Sequence, residues 1–256
     1  MGADGLGSVV TAPLFFVSAA QLAGAFAGSA LVLDGPEGRH GATVKRIGVG
    51  EQVLLTDGVG HRADAVVESV GTGELYLRVQ AITQERQPDS RFVLIQALAK
   101  GDRDEQAIEA ATELGVDEVV PWQAARSIVI WRGERAAKSL RKWESVVLAA
   151  TKQSRRTRVP LVSQPANQAA VIQRIESAAL ALVLHEEAQQ PLAGIELPAA
   201  GDVVLVVGPE GGVAPDELSA FVAAGAVAVR LGPDVLRSST AGPAALAVLS
   251  AAGRWR

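Results

Sequence analysis

The chain contains no cysteine. That absence excludes disulfides, thiolate nucleophiles and cysteine-based zinc sites together, and it fits a reducing compartment. Aromatic residues are scarce, at 4%, so a core must be aliphatic, mostly Ala, Val and Leu. Metal-ligand spacing is missing too: His40, His61 and His185 lie far apart, and no metal is expected. No run approaches the roughly 18 to 20 apolar residues of a membrane span. The first Lys or Arg is Arg39, so the start of the chain lacks the basic segment of a signal peptide. The reading is a soluble cytoplasmic protein with no membrane partner.

The 256 residues, 48% of them hydrophobic, suffice for one large domain or two smaller ones. Charge is unevenly spread. Residues 126 to 158 hold ten Lys or Arg against two acids, Glu134 and Glu144, in a chain of net charge −4. Such a basic island is a candidate polyanion footprint; a solvated helix face is the alternative.

Patterning divides the chain at "QERQPDS" (84 to 90), a polar stretch containing a proline. Residues 1 to 88 read as an all-β domain, with 1 to 12 as a loose tail. "VLLTDGVGHRADAVVE" predicts a hairpin with its turn at "DG", and alternation places Leu75, Leu77 and Val79 on one face. Residues 89 to 256 alternate strands with helices, which implies a parallel α/β sheet. "RFVLIQALA" is a strand. A helix follows, with Asp102 as N-cap, Ala107, Ile108, Ala111 and Leu114 on its apolar face, and Gly115 as its end. "VDEVVPW" is the next strand. Residues 134 to 154 form an amphipathic helix with Leu140, Trp143, Val147 and Leu148 inward. "ALALVLHEE", "DVVLVVG" and "AVAVRLG" are further strands, and a final helix is capped by Ser238 or Ser239.

Those last strands run into loops at His185-Glu186, Gly208 to Gly212, and Gly232 to Ser239. Ligands of parallel α/β sheets sit beyond the carboxyl ends of the strands, so the loops are expected to converge on one pocket. "VVGPEGGVAPDEL" fits neither GxxxxGK[ST], lacking the lysine, nor GxGxxG. Glu210 would repel a pyrophosphate at a helix N-terminus. A ligand with a cationic centre fits better, S-adenosylmethionine being one; a tight turn with no ligand is the alternative. In "LGPDVLRSSTAGPAAL", Arg237 stands before a helix N-terminus, where a cation is disfavoured. It should therefore face a ligand or an acid such as Glu210; a simple surface arginine is the alternative.

Together these two loops resemble the signature of the RsmE-type 16S ribosomal RNA (uracil-N3)-methyltransferases of the SPOUT superfamily. "ALAKGDRDEQAIEAATELGVDEVVP", "ARSIV" and "QSRRTRVP" match its central segments in order, and "HGATVKRIGVGEQVLLTDG" resembles its leading β domain. The resemblance spans roughly residues 13 to 252. It implies a PUA-like β-barrel before a parallel α/β domain with a trefoil knot, S-adenosylmethionine as cofactor, a homodimer, and 16S rRNA or the assembled small ribosomal subunit as substrate. On this resemblance Leu184, His185, Glu186, Gly208, Pro209, Gly211, Gly212, Leu231, Gly232, Leu236 and Ser238 bind the cofactor. Arg237 and Glu210 are the candidate catalytic residues, and Lys152, Arg155, Arg156 and Arg158 contact RNA. There are departures. Ser239-Thr240 stands where a threonine-glutamate pair is usual, so a carboxylate is missing, and Ala214 replaces a common serine, with Pro215 at the first helical position. Rival readings are a ribose 2′-O-methyltransferase of the same superfamily, or a non-catalytic RNA-binding assembly factor.

Overall fold

The computed structural model describes residues 12–255; the expected loose tail, but for its last residue, falls outside them. Contact density divides the chain into two units, one reaching to Gln87 and including Arg155–Arg158, the other holding Pro88–Ser154 and the residues from Val159 on.

The first unit comprises β1 (Leu14–Phe16), α1 (Ala19–Leu22), β2 (Ala30–Leu33), α2 (Gly35–Arg39), β3 (Gln52–Thr56), β4 (His61–Gly71) and β5 (Glu74–Gln84). Its sheet runs β1-β3-β4-β5-β2, with β1 parallel to β3 and the remaining pairs antiparallel. The β3–β4 hairpin turns at Asp57-Gly58, as the sequence predicts. The Asp57 carboxylate accepts from the Val59 and His61 N–H groups at 2.9 and 3.2 Å, and Gly58 adopts a φ of 77°. Leu75, Leu77 and Val79 are buried against Val53, Leu55, Ala63 and Val67. The all-β expectation needs correction. A capping box between Ser18 and Gln21 starts α1, and α2 runs into a π-helical turn over His40–Val44. Sequence patterning passed over both because they are too short to show a helical period. The tetrapeptide 155–158 is sewn into this unit. The Thr157 carbonyl accepts from Gly60 N and from Thr56 Oγ1, each at 3.0 Å, and Arg158 Nη2 donates to the Glu85 carbonyl at 2.6 Å.

The second unit holds β6 (Ser90–Ala97), α3 (Arg103–Glu113), β7 (Glu118–Trp122), α4 (Gly133–Gln153), β8 (Leu161–Val162), α5 (Gln168–Ser177), β9 (Leu180–Leu184), β10 (Gln190–Pro191), β11 (Gly201–Val207), α6 (Pro215–Ala223), β12 (Val227–Arg230) and α7 (Ser238–Ala252). Seven parallel strands lie in the order β10-β12-β9-β11-β6-β7-β8. Both faces are covered, which is why the central strands read as unbroken apolar runs. Phe92, Leu94, Val203 and Leu205 pack with the helices α3, α4 and α7. Val93, Ile95, Val204 and Val206 pack with α5 and α6. In α4, Leu140, Trp143 and Val147 are buried, but Leu148 is 45% exposed, contrary to the inward placement expected. One residue beyond Val147 is a turn of about 100°, which carries Leu148 off the stripe.

Sheet order places the site. β9 is hydrogen-bonded to β11 on one side and β12 on the other, so the carboxyl ends of three strands lie side by side.

At the start of α3, Asp102 occupies the N-cap position but makes no capping bond. The neighbouring Asp104 is 5% exposed and accepts from the Glu105 N–H at 2.9 Å. Burial, with Glu105 adding to it, pushes its carboxyl from 3.8 up to about 6 against the backbone hydrogen bonds that oppose the rise. An acid whose folded pKa is raised contributes stability below its unfolded pKa and loses it as pH rises towards the folded value. Ionised Asp104 therefore costs on the order of 3 kcal/mol at pH 7. Asp104→Asn is expected to raise the thermal midpoint at pH 7.5, with the gain shrinking towards pH 4 in a series of melts. A difference independent of pH would contradict this.

Candidate active site

Three loops leave the carboxyl ends of β9, β11 and β12 and enclose a cavity of about 510 Å³, within the usual range of about 300–1,000 Å³ for small-molecule sites. Leu184, His185 and Glu186 line it from β9. Gly208, Pro209, Glu210, Gly211 and Gly212 line it from β11, and Leu231, Gly232, Leu236, Arg237 and Ser238 from β12 and the start of α7. The convergence expected from the strand ends is what the chain does.

The glycine bend is a compact turn. The Gly212 N–H donates to the Pro209 carbonyl at 2.9 Å, and Gly212 has a φ of 72°. A Cβ on Gly208 would lie 2.9 Å from Val213 Cγ2 and 3.0 Å from Val213 N, so only glycine lets the strand turn there. Pro215 occupies the first turn of α6, as predicted. Ala214 at its N-cap has no side-chain oxygen to offer the helix. Glu217 supplies the other half of a capping box: its Oε2 accepts from Ala214 N at 3.1 Å, and its Oε1 reaches across to Ala125 N at 2.7 Å. Glu217 is 3% exposed.

Glu210 does not meet Arg237. Its Oε1 accepts from Arg103 Nη1 at 2.8 Å and from Lys100 N at 3.1 Å. Burial alone would raise its carboxyl, but its own N–H, that of Lys100 and the Arg103 guanidinium outweigh burial and hold it below the usual carboxylate range. A charged form so stabilised is a weak base. The pairing was hidden because Arg103 and Glu210 are 107 residues apart.

Arg237 itself is the N-cap of α7 and makes no capping hydrogen bond, which corrects the expectation that Ser238 or Ser239 caps the helix. The first turn contains Ser238, Ser239 and Thr240 and no acid. The positive end of the helix dipole and the guanidinium therefore reinforce one another at this side of the cavity. The His185 N–H donates to the Val229 carbonyl at 3.0 Å, and its Nδ1 accepts from the Glu187 N–H at 3.2 Å.

Arg103, Arg126, Arg230, Asp234 and Val235 also line the cavity and were missed. Arg126 is the first residue of the basic island, yet its Nη1 donates to the Gly211 carbonyl at 2.9 Å. The island is divided in other ways as well. Lys142 pairs with Glu105 at 2.6 Å, Lys152 lies in the last turn of α4, and Arg155, Arg156 and Arg158 belong to the first unit. Among the described residues no group of three or more His, Asp or Glu could hold a metal ion, and no helix is long and apolar enough to cross a membrane.

A small five-stranded sheet precedes a parallel α/β unit with a cavity at its strand ends, and two family models give this pair a class: the RNA methyltransferases that carry a PUA domain. The model of the family described as "RNA methyltransferase domain" matches residues 85–250, and that of the "RNA methyltransferase PUA domain" matches residues 33–80. The ribosomal RNA small subunit methyltransferase E of Mycobacterium tuberculosis is 47% identical over 254 residues, covering 96% of this chain and 94% of that protein. The enzyme of the same name from Bacillus subtilis is 30% identical over 85% of this chain and 88% of its own length. A crystal structure of the Neisseria gonorrhoeae ribosomal RNA small subunit methyltransferase E, bound to S-adenosylmethionine, superposes with a TM-score of 0.79 at 28% identity, covering 94% of this chain and 97% of that one. The chain belongs to the ribosomal RNA small subunit methyltransferase E family.

Because Glu217 alone satisfies two backbone donors, Glu217→Ala leaves both unpaired. A loss of about 2 kcal/mol is expected in the free energy from urea denaturation; a change under about 0.5 kcal/mol would show that water replaces the carboxylate.

Proposed function

We propose that the protein transfers a methyl group from S-adenosylmethionine to N3 of a uridine in 16S ribosomal RNA. The observation that carries this reading is the cavity itself: three loops converge on it, with Arg237 among its lining residues, in a chain of this family. The cavity fits the cofactor. Glycine lets the backbone come close, Leu184, Leu231 and Leu236 offer apolar surface, and Glu186 and Asp234 offer negative charge. S-adenosylmethionine supplies, when bound, a methyl group on a positively charged sulfur. Leu184, His185, Glu186, Gly208, Pro209, Gly211, Gly212, Leu231, Gly232, Leu236 and Ser238 would hold it.

The rest falls to the chain. The target uridine leaves its stack to enter the cavity. Holding N3 in line with the methyl group can contribute up to about 7 to 11 kcal/mol. Charge left on uracil O2 and O4 as the N3 proton passes to solvent water is stabilised by the Arg237 guanidinium and the acid-free N-terminus of α7. Glu210 is ionised but weakly basic, so the reading gives it the loop rather than the proton. Lys152, Arg155 and Arg156 serve RNA binding in this reading. Arg158, whose guanidinium is engaged by the Glu85 carbonyl, chiefly fixes its own segment. We place the enzyme in the cytoplasm, with its ribosomal substrate, and as a homodimer; the exposed Val235 and Leu236 on the cavity rim support a covering subunit. The trefoil knot is supported by chain order, since β11 inserts between β9 and β6 before the chain returns to β12 beyond β9.

Small subunits lacking the modification are to be incubated with the protein and S-adenosylmethionine, and their RNA digested for nucleoside mass spectrometry. N3-methyluridine is expected. Ribose-methylated nucleosides, or no methylation, would contradict the reading. Arg237→Ala should lower turnover at least about tenfold with the thermal midpoint unchanged; full turnover would remove Arg237 from the mechanism.

A further inference from the structure

We propose that Arg126 is a positioning residue of the glycine bend, not a contact for RNA. The sequence places Arg126 first in the basic island, where a role on phosphate would be assumed. The structure gives its side chain a different neighbour. Its Nη1 donates to the Gly211 carbonyl at 2.9 Å. A Cβ on Gly211 would lie 3.3 Å from Arg126 Cβ and 3.6 Å from its Cδ, and one on Gly212 would lie 3.9 Å from Nη1. The aliphatic stem of the arginine thus lies along the side of the bend where a larger residue would project. Gly208 is confined by Val213, and Gly211 is crowded by Arg126. The side of Gly211 on which a Cβ would project faces an arginine stem.

The arginine departs from a fixed point. The N–H of Ala125, one residue before it, is held at 2.7 Å by the buried Glu217 of α6. On the other side of the bend Arg103, from the segment after β6, holds Glu210 at 2.8 Å. Two guanidinium groups, one from the start of α3 and one from the loop after β7, therefore grip consecutive residues of the bend, each through a charge-assisted hydrogen bond. A bend held in this way is ordered before the cofactor arrives, and binding need not meet the cost of ordering it.

This inference rests on the cofactor assignment above, and its test separates the two. Arg126→Ala, Arg126→Lys and Gly211→Ala are compared with the unchanged protein in three measurements: calorimetry with S-adenosylmethionine, the salt dependence of binding to small-subunit RNA, and amide hydrogen exchange of residues 209–213 in cofactor-free protein. Arg126→Ala is expected to weaken cofactor binding about tenfold, to speed exchange at 211–213, and to leave the salt slope unchanged. Arg126→Lys, which keeps a donor, should restore most of the affinity. Gly211→Ala, which crowds the arginine stem, should behave like Arg126→Ala. Unchanged cofactor affinity and exchange, with a salt slope flattened by about one unit, would overturn the proposal and return Arg126 to RNA. If the unchanged protein binds no S-adenosylmethionine, the cofactor reading fails, and the exchange comparison still decides the role of Arg126. Arg126→Gln carries the test should the alanine variant not fold.

Discussion

A bend that lacks a cap of its own must be held by its neighbours. Between Gly208 and Pro215 the chain passes from strand to helix without a side-chain oxygen at the N-cap, and the hold comes from elsewhere. Arg103 and Lys100 fix Glu210, Arg126 fixes Gly211, and Glu217 ties the base of the helix to Ala125. Each of these groups comes from a different loop or helix, so the bend keeps its shape only while the parallel sheet keeps β6, β7 and β11 in register. The site is a consequence of the sheet.

The same arrangement settles how charge is distributed. A glutamate inside the bend looks in isolation like an acid offered to a ligand. In place, its charge is matched by a guanidinium and two backbone N–H groups. Arg237, also on the cavity lining, stands at the N-cap of a helix whose first turn carries no acid. That polarity suits a reaction in which negative charge appears on the substrate as its proton leaves. It also suits an RNA methyltransferase that must admit an anionic polymer next to a cationic donor.

Much of this was legible in the residues because the local signals were strong. Unbroken apolar runs marked β6, β9 and β11, the Asp57-Gly58 pair marked a hairpin, and the polar strand ends marked the cavity. What failed did so for identifiable reasons. Leu148 was grouped with Val147 although adjacent helical positions point in different directions. Ser238 and Ser239 were favoured as caps by residue type, whereas the backbone begins the helix after Arg237. The partners of Glu210 and Gly211 could not be read at all, since sequence separation hides contacts that only the sheet order creates. The bond from Arg158 to the Glu85 carbonyl was equally hidden, 73 residues apart in sequence.

The central claim is that the cavity between the ends of β9, β11 and β12 holds the methyl donor. A crystal structure of this protein with S-adenosylmethionine tests it most directly. The donor should lie against the backbone of residues 184–186, 208–212 and 231–238, with the bend at Gly211 still held by Arg126. Density for the donor at any other place, with those three loops bare, would contradict the account.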